Sequence, residues 1–189
     1  MRQRPQAISS IALLLLTLAL AGCGSSPSPH INANIPFKSP AIARHSIPAE
    51  YTCDGRNVHP PLQWGEVPSG ARELALFVLG LTPNQSTGRY RFTIEWGLAG
   101  VNPSLHKLTA GELSAGAHAG LNHNGKTHYS ICPAKGKRKL YQFALYTVPP
   151  SLTVPQGFTD RELFKLVTYA GAPNPTRAGG AFKASYKRK

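Results

Sequence analysis

Tyr51-Thr52-Cys53-Asp54-Gly55-Arg56-Asn57, Pro60-Pro61-Leu62-Gln63-Trp64 and Val67-Pro68-Ser69-Gly70 run in close succession ahead of a continuous apolar stretch, Leu74-Ala75-Leu76-Phe77-Val78-Leu79. Asp54, just before Gly55, is placed to make a turn through its own side chain. Trp64 reads as core. The apolar stretch has the length of a strand and no polar face, the pattern of a central strand buried on both sides.

Working outward, Tyr141-Gln142-Phe143-Ala144-Leu145-Tyr146-Thr147-Val148 is a second strand, rich in aromatic and β-branched residues and ended by Pro149-Pro150. Arg91-Phe92-Thr93-Ile94-Glu95-Trp96 alternates weakly and reads as a third. Ala181-Phe182-Lys183-Ala184-Ser185-Tyr186 alternates cleanly and reads as a fourth. One helix is signalled. Thr159-Asp160-Arg161-Glu162 has the capping-box spacing, a hydroxyl at the cap and a carboxylate three residues on. Leu163, Leu166, Val167 and Ala170 fall on one face of it, and Gly171 with Pro173 closes it. The 18 glycines and 17 prolines are dispersed, which favours short strands joined by many turns. The chain is long enough for one such mostly-β domain and not two.

The N-terminus has a different character. Arg2 and Arg4 precede an apolar run over residues 11–20, and Leu20-Ala21-Gly22-Cys23 follows. A basic start, a short apolar core and small residues are the layout of a secretory signal. The run is shorter than the ~20 apolar residues that span a bilayer. With its cysteine, Leu-Ala-Gly-Cys resembles a bacterial lipobox, which implies that Cys23 carries a diacylglyceryl group and begins the mature chain. Two acyl chains hold where one is marginal, each buried methylene contributing about 0.8 kcal/mol. Gly24-Ser25-Ser26-Pro27-Ser28-Pro29 opens a solvated tether. The organisation expected is a signal peptide at 1–22, lipidated Cys23 and tether at 23–34, and a folded domain at 35–189. The address is the extracytoplasmic face of the cell membrane, or the outer membrane in a two-membrane cell.

The net charge is +13, and loss of Arg2 and Arg4 with the signal leaves 19 basic against 8 acidic residues, +11. An exported, lipid-anchored protein meets little nucleic acid, so that reading of the charge is set aside. It does meet anionic headgroups and acidic wall polymers, where each basic residue near the surface contributes about 1 kcal/mol. The densest clusters are Lys135, Lys137, Arg138 and Lys139, and Lys187, Arg188 and Lys189 at the C-terminus. A solvated loop and a frayed tail would account for the same residues. With Cys23 lipidated, Cys53 and Cys132 are an even pair in an oxidising compartment.

The blocks quoted first resemble the phosphatidylethanolamine-binding protein family, in its bacterial branch often called Raf-kinase-inhibitor-like. That branch reads Tyr-Thr-Cys-Asp-Gly-x-Asn, Pro-Pro-Leu-x-Trp and Val-Pro-x-Gly, then an apolar strand. The likeness continues through Gly120-Leu121-Asn122, Gly125-Lys126-Thr127, Cys132-Pro133 with Gly136, Tyr141 with Phe143, the helix, and a last strand near Tyr186. It implies a Greek-key β-sandwich of a larger and a smaller sheet, with one or two short helices at the end. It also implies loops that bring Cys53 and Cys132 together in a disulfide near a small anion pocket.

Family members rim that pocket with an Asp-Pro-Asp-Ala-Pro loop, a His before a Trp, and a His-Arg-Tyr. Here the loop reads Gly80-Leu81-Thr82-Pro83-Asn84, Glu95 stands before Trp96, and Lys139-Leu140-Tyr141 takes the third place. Glu95, Lys139 and Tyr141 are the candidate remnants. Glu95 would repel a phosphate that a His could bind, while Lys139 keeps a mobile point charge. Alternatively, Glu95 and Lys139 pair with each other and plug the pocket.

No other chemistry is signalled. Neither Cys53 nor Cys132 has a His in a nucleophile signature. His118, His123 and His128 are spaced by five without a carboxylate or cysteine pair of ligand spacing, so no metal is expected. No nucleophile elbow and no phosphate-cradling glycine loop is present, and no cofactor is expected. Three functions follow in order of preference. The first is a non-enzymatic surface lipoprotein that binds anionic lipid, wall polymer or a protein partner. The second is an inhibitor or regulator of an envelope protease or kinase, and the third an enzyme with an unrecognised site.

Overall fold

The computed structural model of the chain describes residues 33–169 and 178–189. Its strands are β1 (Ala33–Asn34), β2 (Phe37–Lys38), β3 (Leu62–Trp64), β4 (Glu73–Pro83), β5 (Tyr90–Val101), β6 (Lys107–Leu108), β7 (His118–Ala119), β8 (Arg138–Val148) and β9 (Ala178–Lys187). Among the described residues there is a single 3-10 turn, at Ala49–Tyr51, and one α-helix, α1 (Asp160–Tyr169). Six strands form one sheet in the order β1-β9-β8-β4-β5-β7, and three form a second, β2-β3-β6. β4, β5 and β7 pair in sequence while β8 returns to the far side of β4, which is a Greek-key connection.

β4 is central because both of its faces are apolar. Leu74, Leu76 and Val78 join Trp64, Leu62, Trp96, Tyr141 and Phe143 in a core between the sheets. Ala75, Phe77, Leu79 and Leu81 join Tyr146, Leu163, Phe164 and Val167 in a second core under α1. The period-2 alternation of a strand thus serves two cores, and an unbroken apolar run is what that requires.

The capping box forms as expected. The Glu162 N–H donates to Thr159 Oγ1 at 3.2 Å, and the Thr159 N–H donates to Glu162 Oε2 at 2.8 Å. The buried face is Leu163, Phe164 and Val167, whereas Leu166 is only half-buried. Phe164 takes the inner place because its ring meets Phe77 edge-on at 5.3 Å and Phe92 at 5.1 Å. Ala170, Gly171 and Pro173 lie outside the described residues.

All four strands read from sequence are present, each longer than its alternation signalled. β5 runs on through Gly97 and Gly100, glycines that broke the pattern. The sheet also begins two residues ahead of the boundary at Ile35, since Ala33–Asn34 pair in parallel with Ala178 and Gly179. The signal peptide, Cys23 and the tether up to residue 32 lie outside the described residues. No helix among the described residues is long and apolar enough to cross a membrane.

Candidate functional site

A β-bulge organises the site. Val78 pairs with Trp96 and Leu79 with Ile94, which leaves Glu95 as an extra residue in β5. Ile94 and Trp96 would share a face in a regular strand. Instead Ile94 packs under α1 and Trp96 between the sheets. Glu95 is buried at the step between them, 7% exposed.

Three strands supply the surroundings. Gly80 of β4 pairs with Thr93 of β5 on one side and Tyr141 of β8 on the other. Lys139 reaches over from β8, and its Nζ donates to Glu95 Oε1 at 2.7 Å. Thr93 Oγ1 donates to the same oxygen at 2.7 Å and accepts from Lys139 Nζ at 3.3 Å. Behind the pair, His123 Nδ1 lies 3.7 Å from Glu95 Oε2 and donates to the Ile94 carbonyl at 3.0 Å. Lys139 Nζ sits 5.6 Å from the Tyr141 ring centroid. Gly80 is what admits the pair. A β-carbon there would collide with Glu95 Oε1 and with the Lys139 ammonium.

Glu95, Lys139 and Tyr141, named from sequence, therefore do come together, and of the two arrangements open to them they adopt the ion pair. Thr93 and His123 belong to the cluster and were missed. A threonine in a strand has no signal beyond β propensity, and His123 joins only through the fold. Burial, and next the Glu95 charge, hold the Tyr141 phenol well above its ordinary range. Burial does the same to Tyr129, and its hydroxyl has no hydrogen-bond partner among the described residues. As an anion site the cluster offers a carboxylate and an ammonium already occupied by it, in a short charge-assisted bond.

Cys53 and Cys132 are joined in a disulfide, with Cα atoms 5.3 Å apart. Beside it Asp54 does more than shape a local turn. The turn uses the Thr52 hydroxyl, which accepts from the Asp54 N–H at 3.3 Å, while the Asp54 carboxylate ties down the end of β9. Tyr186 Oη donates to it at 2.6 Å and Arg188 Nε at 3.1 Å. The Tyr186 bond is the larger cause that holds the Asp54 carboxyl below its ordinary range. Arg188 is accordingly withdrawn from the basic surface on which sequence placed it. Lys135, Lys137, Arg138, Lys187 and Lys189 are exposed, and Arg138 Nη1 donates to Ser185 Oγ at 3.0 Å. A cleft of about 520 Å³ lies beside them, lined by Lys137, Arg138, Leu140, Leu81, Tyr90 and Pro133.

His45, His59, His118 and His123 are each held by backbone carbonyls. His118 Nδ1 lies 3.3 Å from the Gly116 carbonyl. His59 stacks on Trp96 and bridges the carbonyls of Pro60 and Glu112 at 2.9 and 3.0 Å.

Residues 38–175 match the family described as phosphatidylethanolamine-binding protein. The chain belongs to that family. Within it, the chain is 34% identical over 139 residues to the "Putative lipoprotein LppC" of Mycobacterium tuberculosis, an alignment over 72% of this chain and 66% of that protein. It thus spans just under two thirds of that relative. A UPF0098 protein of Methanothermobacter thermautotrophicus is 30% identical over 128 residues, covering 65% of this chain and 81% of the relative. Among solved structures, the phosphatidylethanolamine-binding protein homologue CT736 of Chlamydia trachomatis superposes with a TM-score of 0.66 at 25% identity, over 84% of this chain and 99% of its own. Escherichia coli YbcL gives 0.67 at 20% identity, over 83% and 100%, and shares the fold. The family assignment and the mostly-β sandwich read from the first blocks both hold.

Proposed function

We propose that this family member is a lipid-anchored, non-enzymatic binding protein whose small-anion pocket is closed, and which engages acidic surfaces of the cell envelope through exposed basic residues. The observation that carries the reading is the Lys139–Glu95 pair at 2.7 Å, seated in the space left by Gly80. A phosphate entering there would meet a carboxylate and would have to take the ammonium from it. Both costs grow where water is excluded. The anchor is supported by Leu20-Ala21-Gly22-Cys23 and by similarity to a relative bearing the name of a lipoprotein. Attraction to acidic surfaces follows from +11 of net charge on the mature chain, and salt weakens it.

Titration of a Cys23→Ser domain without its signal tests the pocket. Phosphoethanolamine should bind weakly, and anionic vesicles should bind in a salt-sensitive manner. Tight, salt-insensitive phosphoethanolamine binding that Tyr141→Ala abolishes would show an open pocket. Fatty-acid labelling of the full chain tests the anchor, and equal label in wild type and Cys23→Ser would remove it.

A further inference from the structure

The outer edge of β5 is covered along only part of its length. β7 pairs with it at Leu98 and Ala99, and the Gly120 N–H donates to the Gly97 carbonyl at 3.1 Å. Toward the start of the strand, side chains take over. Asn122 Nδ2 donates to the Glu95 carbonyl at 3.3 Å, and His123 Nδ1 to that of Ile94 at 3.0 Å. Before Ile94 the cover ends, and residues 89–93 are all exposed.

Register decides which backbone groups this leaves open. The Asn84 N–H donates to the Arg89 carbonyl at 2.7 Å, with Thr82 opposite Arg91 and Gly80 opposite Thr93. In an antiparallel ladder successive residues turn their backbone groups to opposite neighbours. Arg89, Arg91 and Thr93 therefore face β4, while Tyr90 and Phe92 face outward. The outward N–H and C=O groups of Tyr90 and Phe92 have no partner among the described residues.

The side chains divide as well. The Phe92 ring lies 5.1 Å from Phe164, and Ile94 belongs to the core under α1, so Tyr90 and Phe92 stand on the α1 face. Their rings are 49% and 44% exposed. Arg89 and Arg91 stand on the other face with Thr93, and neither arginine has an ion-pair partner among the described residues.

An open edge with an apolar row on one face and a cationic row on the other is a template for a further strand. A second copy of the chain fits it poorly. Antiparallel pairing of two such edges would gather Arg89 and Arg91 of both copies on one face, and like charges across a ladder destabilise it. The complementary strand sets acidic side chains against the arginines and apolar ones against Tyr90 and Phe92. We propose that the start of β5 takes up an extended segment of a partner protein in which acidic and apolar residues alternate. Neither the anchor nor the closed pocket is needed for this.

The probe is a synthetic heptapeptide of glutamate alternating with valine, titrated into the full chain in nonionic detergent. Amide exchange, followed residue by residue by NMR, should slow by about tenfold at Tyr90 and Phe92 on binding. Arg91, already paired with β4, should not change. No binding, or binding without that alternation, would overturn the proposal, the second because charge alone would then hold the peptide. Slow exchange at Tyr90 and Phe92 before peptide is added would also overturn it, since the edge would already be covered. Arg89→Glu and Arg91→Glu combined alter only exposed side chains. That variant should bind the glutamate peptide about tenfold more weakly and accept a lysine–valine peptide that the wild type rejects. Unchanged affinity for the glutamate peptide would place it elsewhere and overturn the proposal.

Discussion

Replacing Asp160 by Asn should stabilise the protein at neutral pH and flatten its dependence on pH. Asp160 opens α1 and is 1% exposed, and neither carboxylate oxygen has a hydrogen-bond partner among the described residues. It sits over β5 and the segment after β7 in a space that two glycines provide. A β-carbon on Gly97 or on Gly120 would come within 2.6 Å of Oδ1. Burial raises its carboxyl from the ordinary 3.8 to about 7, against the Gly97 N–H, which favours the ionised form. The helix N-terminus also favours the charge, but by roughly 0.3–1 kcal/mol. A rise from 3.8 to about 7 corresponds to about 4 kcal/mol, so burial wins. The sign follows from proton binding. Between pH 4 and 7 the folded state holds a proton that the unfolded state has lost, so stability is highest below pH 4 and falls as pH rises through 7. Asp54 and Glu162, both held below their ordinary values of 3.8 and 4.5, act in the opposite direction and only as pH falls through those values, at the acid edge of this window. Asn carries no charge to bury, though its amide brings an unmet hydrogen-bonding need of about 1–3 kcal/mol. The net gain expected at pH 8 is therefore about 1–3 kcal/mol, and at pH 4, where the wild-type carboxyl is neutral, the amide's cost leaves the variant about 1–3 kcal/mol less stable than wild type. For a domain of this size 1 kcal/mol moves the melting temperature by about 2–4 °C. Melting curves of both proteins from pH 4 to pH 8 decide the matter. Parallel curves, or an Asn variant that loses as much stability at pH 8 as at pH 4, would refute the argument.

The site and the scaffold make three further predictions. Glu95→Gln removes the carboxylate that occupies Lys139, so inorganic phosphate should bind about tenfold more tightly than to wild type, a gain of about 1.4 kcal/mol; calorimetry showing no gain would mean that the pair is not what closes the pocket. Reduction of Cys53–Cys132, which spans 79 positions, should lower stability by about 4 kcal/mol on the chain-entropy account, read as a denaturant midpoint with and without reductant. Thr159→Ala loses the cap of α1 and should cost about 1 kcal/mol, with faster amide exchange confined to the first turn of the helix.

What was legible in the sequence was whatever burial writes into it directly. The run from Leu74 to Leu79 announces a strand with two cores because each alternate side chain must leave water on a different face. Thr159 and Glu162 announce a helix start because their spacing alone closes the two hydrogen bonds. Leu166 misled because 3.6-residue periodicity weighs apolar residues without regard to shape. The space beneath α1 suits Phe164, whose ring can lie edge-on to Phe77. Asp54 misled for a related reason. Its local neighbours suit a turn, while its partners Tyr186 and Arg188 lie at the far end of the chain.

The pocket residues were legible singly, and their arrangement was not. Glu95 and Lys139 stand 44 positions apart, and whether they meet depends on register across β5, β4 and β8. A one-residue change in that register decides everything, because side chains change face at each step. The bulge at Glu95 is such a change. Without it Trp96 would lie on the α1 side with Ile94, and the β5 register that seats Glu95 against Lys139 would be lost. Nothing in Ile94-Glu95-Trp96 marks a bulge, since no glycine is present to signal one. Gly80 is the complementary case. It reads as the loss of a functional aspartate, yet its missing side chain is the space into which the pair closes. The three residues therefore act together. Glu95 brings the charge, Lys139 neutralises it, and Gly80 makes room, and restoring a side chain at position 80 while keeping the other two would force the ion pair out toward solvent.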